Sequence, residues 1–180
     1  DVYATRNLCE FAKALSDGIV KAVRPERAWH EKFFSFFRSL RVGFRIDSVS
    51  GEPSLDISIG DIEYPDKTIR EAFEYMEASE KPCILAIDEF QQIREYPETN
   101  TEAFVRTLVQ QCSRTSFIFC GSKRHTMTDM FYSPAKPFFQ SVMSQSLKPI
   151  PMETYAGFAG RLFAERGKYL DRFVAETIYR

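Results

Sequence analysis

The sequence predicts an α/β fold: a parallel sheet with flanking helices, an inserted β-hairpin and a helical carboxyl-terminal segment. Three observations carry this. Cys83-Ile84-Leu85-Ala86-Ile87 is an apolar run between Lys81-Pro82 and a polar stretch, too short for a buried helix and suited to a central parallel strand. Ser116-Phe117-Ile118-Phe119-Cys120 repeats that grammar and stops at Gly121-Ser122. Between them Thr101 caps a helical stripe of Phe104, Leu108, Val109 and Cys112. Strand, helix and strand joined by short connections make a right-handed parallel unit, and the first strand ends in adjacent carboxylates, Asp88 and Glu89.

Composition bounds the rest. With 180 residues, 44% hydrophobic and 27% charged, the chain has the make-up of a globular domain with a substantial core. Seventeen Phe point to a generous core or to apolar surface that another segment covers. A net charge of -1 argues against a strongly basic nucleic-acid groove. No apolar stretch reaches membrane-spanning length and no secretory signal is visible. Cys9, Cys83, Cys112 and Cys120 lie apart without metal-ligand spacing, which suits reduced core thiols in a cytoplasmic protein.

In chain order, Asp1-Val2-Tyr3-Ala4 reads as the end of a strand, so the chain is expected to open within a fold. Thr5 can cap a helix whose stripe is Leu8, Phe11, Ala12, Leu15, Ile19, Val20 and Val23. Pro25 suits the first turn of a second helix, reaching through Trp29, Phe33, Phe34, Phe36 and Phe37 to Leu40. From Val42 to Ile59 the apolar period becomes two, with Ser50-Gly51-Glu52-Pro53 as a turn, so a β-hairpin is expected there. Asp47, Asp56, Asp61 and Glu63 fall in or beside it and read as solvated carboxylates rather than a metal cluster. A helix starting at Asp66 or Thr68 carries Ile69, Ala72, Phe73 and Met76 into the acidic strand. After Gly121-Ser122, the basic Lys123, Arg124 and His125 open a short helix with Met127, Met130 and Phe131, followed by Pro137-Phe138-Phe139. Ser144 to Ile150 is a weakly patterned strand candidate, and Glu153 to Tyr179 is helical. The expected division is a core over residues 1–151 and a helical segment over 152–180.

A carboxylate at the carboxyl end of a parallel strand lies where ligands bind in open α/β sheets. There it can hold magnesium through water while its neighbour orients an attacking water, and a hydroxyl on the adjacent strand tip can bond that water or a terminal phosphate. Asp88-Glu89-Phe90-Gln91, then Phe117-Ile118-Phe119-Cys120-Gly121-Ser122, then Met127, Met130-Phe131 and Pro137-Phe138-Phe139 resemble the archaeal-type ATPases of the AAA+ and STAND group of P-loop NTPases. The resemblance covers most of the chain. It implies a three-layer AAA+ sheet, ATP and magnesium as ligands, Asp88 as the magnesium-linked carboxylate, Glu89 as the water-activating base, Ser122 as the sensor, and the helices after Pro151 as the start of a helical lid. The Arg that often follows the Pro-aromatic-aromatic segment in that family is replaced here by Gln140-Ser141, leaving Arg124 or Arg161 as stand-ins.

The phosphate-binding G-x-x-x-x-G-K-[ST] is absent. Gly160 to Gly167-Lys168 has the wrong spacing and Tyr169 in the hydroxyl position. The family places its P-loop upstream, so the chain is expected to be part of a longer ATPase and to bind ATP poorly alone. The alternative is a non-catalytic interaction or scaffold module with NTPase-like ancestry. A metal-dependent nuclease using Asp88, Glu89 and acids of the hairpin fits less well, because such sites want a nearby Lys and carboxylates from separate elements, and adjacent strand residues point to opposite faces. A serine or cysteine hydrolase fits least, since neither His30 nor His125 has an evident nucleophile and acid beside it.

Overall fold

The computed structural model describes residues 1–23, 35, 37–40, 45–46, 53–54 and 57–179. They form two compact units, Asp1–Val142 and Met143–Arg180.

Helix α1 (Leu8–Val23) buries Phe11, Ala12, Leu15, Ile19 and Val20, the face its apolar spacing selects. Its cap is Asn7, whose Oδ1 accepts the Glu10 amide proton at 2.9 Å. Thr5, the expected cap, is two residues too early. Its hydroxyl donates to the Val2 carbonyl at 2.6 Å and bonds the Tyr96 hydroxyl, pinning the amino-terminal turn. The helix expected from Pro25 to Leu40 lies largely outside the described residues, but Phe37 and Leu40 are buried and Leu40 bridges Ile62. Of the predicted hairpin, β1 (Arg45–Ile46) pairs antiparallel with β2 (Pro53–Ser54), and most of its other residues lie outside the described ones.

Helix α2 (Pro65–Glu77) starts at its proline, one residue before Asp66, because Pro suits the first helical position where its missing N–H is no loss. It packs on α1 and buries Ile69, Ala72, Phe73 and Met76. Strand β3 (Cys83–Ile87) then leads through a 3-10 turn, Phe90–Glu95, to α3 (Thr101–Gln111) and β4 (Thr115–Phe119). The two strands are parallel, in register from Cys83 opposite Thr115 to Ile87 opposite Phe119.

One face of this pair is packed. Phe117 stacks on Phe73 of α2 with centroids 5.6 Å apart, and Phe119 meets Phe90 at 4.4 Å. Phe90 also meets Phe138 edge-on at 5.4 Å, and Phe119 meets Phe131 of α4 (Arg124–Tyr132) at 5.6 Å. Such aromatic contacts add roughly 0.5–1.5 kcal/mol each beyond area burial. Around this cluster Arg94 pairs with Asp129 at 2.9 Å and Glu102 at 3.3 Å, tying the 3-10 turn to α4 and α3.

The other face corrects the predicted fold class. Ile84 and Ile118 point outward, 71% and 50% exposed, where a central strand would have both faces covered. Among the described residues the parallel sheet has two strands, so the three-layer P-loop NTPase-like (AAA+) sheet is not what this chain forms. The other strand candidates do not extend it. Val2 donates its amide to the Asp88 carbonyl at 3.0 Å, and the chain turns away at Tyr3-Ala4. Ser144–Ile150 is exposed and pairs with no strand among the described residues; Pro149 within it and Pro151 after it offer no N–H to a ladder.

The second unit holds α5 (Met152–Glu165) and α6 (Arg172–Tyr179), with Ala175 buried. Gly167, at φ 67°, stops α5: its amide donates to Ala164 and that of Lys168 to Phe163. The Gly167-Lys168 pair is thus a helix stop. Among the described residues no helix is long and apolar enough to cross a membrane.

Glu77, the last residue of α2, fastens that helix to the turn before β4. Its carboxylate accepts the Ser113 hydroxyl at 2.6 Å, the Ser113 amide at 2.8 Å and the Arg114 amide at 3.0 Å. The Ser113 hydroxyl, followed by these amides, lowers its pKa from 4.5 to about 2. A depressed carboxylate contributes stability that is fully present above its unfolded pKa and lost as pH falls through the folded value. Glu77→Gln is expected to lower the urea midpoint at pH 7, with the gap to wild type narrowing between about pH 4.5 and 2. A gap unchanged across that window would contradict the assignment.

Candidate functional site

The parallel register continues past the strands. Cys120 donates its amide to Ile87 at 2.9 Å and Phe90 donates to Cys120 at 2.9 Å, so the turn after β3 is stitched to the tip of β4. Between these bonds Glu89 adopts the left-handed region at φ 56°, which costs a side-chain-bearing residue roughly 1 kcal/mol or more. The turn holds it there because Phe90 is fully buried and the Gln92 amide closes on the Glu89 carbonyl at 2.8 Å. Asp88 and Glu89 both lie beyond the end of β3, in this turn, so strand alternation does not govern them.

The two predicted tips meet. Ser122 Oγ donates to Glu89 Oε2 at 2.9 Å, and Gln91 Nε2 donates to the same oxygen. Gln91 first, then Ser122, holds the Glu89 carboxyl below the ordinary range; partial desolvation opposes them, and Lys123 adds a weaker attraction. Glu89 is therefore a carboxylate at neutral pH, with two side-chain hydrogen bonds on Oε2 and a further contribution from the Ser122 backbone amide.

Asp88 is exposed, and its Oδ1 accepts the Glu89 amide proton at 3.0 Å. Among the described residues no group of three or more His, Cys, Asp or Glu side chains gathers to cage a metal. A lone carboxylate suits magnesium, which keeps most of its waters and completes its shell with substrate oxygens. It does not suit calcium or zinc, which take most of their ligands from protein. Of the hairpin acids, Asp61 accepts the Ser58 amide and hydroxyl, both at 2.8 Å, and Asp47 and Asp56 lie outside the described residues. Arg124 is exposed at the start of α4, and Arg161 is on α5 in the second unit. A cavity of about 380 Å³ between α2 and α3, lined by Arg70, Phe73, Leu108 and Cys112 among others, includes neither Glu89 nor Ser122.

Sequence reasoning passed over two residues. Gln91 is part of the Asp88-Glu89-Phe90-Gln91 string, yet nothing in a string shows that its amide is buried and turned back on Glu89. Gly121 reads as a small residue ending a strand. A Cβ there would run into Gln91 Oε1 and come within 2.6 Å of Met127 Sδ, so it is the gap that admits the Gln91 side chain. Gly121→Ala is expected to displace Gln91 and cost about 1–3 kcal/mol by overpacking, read as a lower urea midpoint. Unchanged stability would show that Met127 and Gln91 yield freely.

No protein-family model matches the chain, and no curated protein matches it.

Proposed function

We propose that the β3 and β4 tips are the metal- and water-handling part of an ATP-hydrolysing site, with Asp88 linked to magnesium, Glu89 activating water and Ser122 beside it as the polar sensor. The observation that carries this reading is the 2.9 Å bond from Ser122 to Glu89, across two parallel strands. It puts an ionised base and a hydroxyl at one point, next to an exposed carboxylate. Chemically, Glu89 would accept a proton from water as that water's oxygen attacks the terminal phosphorus, Ser122, whose one O–H is donated to Glu89, would hold the base and accept a hydrogen bond from the same water, and Asp88 would hold the hydrated ion. Magnesium, when bound, neutralises developing charge on the phosphoryl oxygens. The motif resemblance to the archaeal-type ATPases supports the same roles.

The 180 residues contain no glycine-rich phosphate loop, so the proposal includes a phosphate-holding segment outside them and weak ATP binding by this chain alone. ATP is the ligand the reading requires. Four free thiols, with Cys120 exposed, fit a cytoplasmic setting.

A second reading, a non-catalytic interaction or scaffold module, is favoured by one observation: the open face bearing Ile84 and Ile118 suits a protein partner or self-association. Magnesium-dependent phosphate release by the full-length protein separates the two. The hydrolytic reading expects Glu89→Gln to slow release by about 10²-fold or more. Equal rates would remove Glu89 from the chemistry and leave the interaction module.

A further inference from the structure

We propose that Gln91 is the positioning residue of this site: its side-chain amide fixes Glu89 so that one carboxylate oxygen stays tied down and the other faces the reaction. The proposal rests on the hydrolytic reading of Glu89 and goes further, by naming what aims the base.

The argument starts from burial. Ser122 is exposed, whereas Gln91 is 2% exposed and sits in a 3-10 turn whose first residue, Phe90, is bonded to Cys120 at 2.9 Å. Of the two donors on Glu89 Oε2, Gln91 is thus the one whose place is set by packing. The direction of its amide follows from charge. Turned over, the amide would set Oε1 against a carboxylate, so Nε2 must face Glu89.

That choice leaves Gln91 Oε1 buried with no hydrogen-bond partner among the described residues. Buried carbonyls are almost always paired, and an unpaired one needs a reason. Here the other end of the same amide is bonded to the Glu89 carboxylate, and that bond to a charge offsets the unpaired Oε1. The backbone is shaped to match, because Gly121 leaves the gap that the amide fills, closed on its far side by Met127. A residue retained only for packing would do as well with an apolar tip.

Two measurements test this. In the 180-residue chain, the Gln91 side-chain NH2 resonances are expected to exchange slowly with water, to stay protected in Ser122→Ala, and to lose protection in Glu89→Ala. In the full-length protein with Mg-ATP, Gln91→Met is expected to lower kcat roughly tenfold to a hundredfold, the range for a lost hydrogen bond to a charge, with KM unchanged. Adding it to Glu89→Gln should produce no further loss. A Gln91 amide exchanging like a free one, or a Gln91→Met protein with wild-type kcat, overturns the proposal. Should Glu89→Gln itself leave kcat intact, the hydrolytic reading fails, and the amide exchange alone decides whether Gln91 holds Glu89.

Discussion

The parallel register between β3 and β4 is the constraint on which the candidate site depends. Five residue pairs run from Cys83 and Thr115 to Ile87 and Phe119, and the ladder's last bonds reach Phe90 and Cys120. Because both chains run the same way, both tips emerge at one end. A one-residue slip of either strand would put its inward pair, Leu85 and Ile87 or Phe117 and Phe119, on the wrong face as well as separating the tips. The apolar packing that fixes the register therefore also brings Glu89 to Ser122.

That packing is mostly aromatic. Phe90 lies between the strand pair and the segment after α4, touching Phe119, Phe131 and Phe138. Its burial pulls the turn inward directly after Glu89, and this makes the left-handed backbone at Glu89 tolerable. The high Phe content thus has a local consequence: the rings that fill the core also anchor the turn that presents the carboxylate. The packed face gives rigidity, while the face with Ile84 and Ile118 remains open to solvent.

That the two strand tips meet was legible in the sequence, and less of the fold was. Two short apolar runs separated by a helical stripe were enough to infer a parallel pair, and their end residues then had to lie together. α1 and α2 followed from apolar spacing, though Asn7 and Pro65 mark their starts and Thr5 and Asp66 do not. The three-layer sheet failed because a pattern for two strands was extended by family resemblance to strands that are not paired among the described residues. Central strands were expected to be buried on both faces, yet the apolar outward residues Ile84 and Ile118 look the same in sequence whether covered or exposed. Gln91 and Gly121 stayed hidden because their roles depend on each other across the turn, and no periodicity records that.

The most direct test of the account is where a divalent ion settles. Manganese, a paramagnetic stand-in for magnesium, is titrated into the isotopically labelled 180-residue chain and the loss of amide signal followed residue by residue. The account predicts early loss at Asp88, Glu89 and Ser122, reversed by excess magnesium and abolished by Asp88→Asn. Loss centred on Asp61 and Glu63, or spread evenly over the acidic surface, would contradict it.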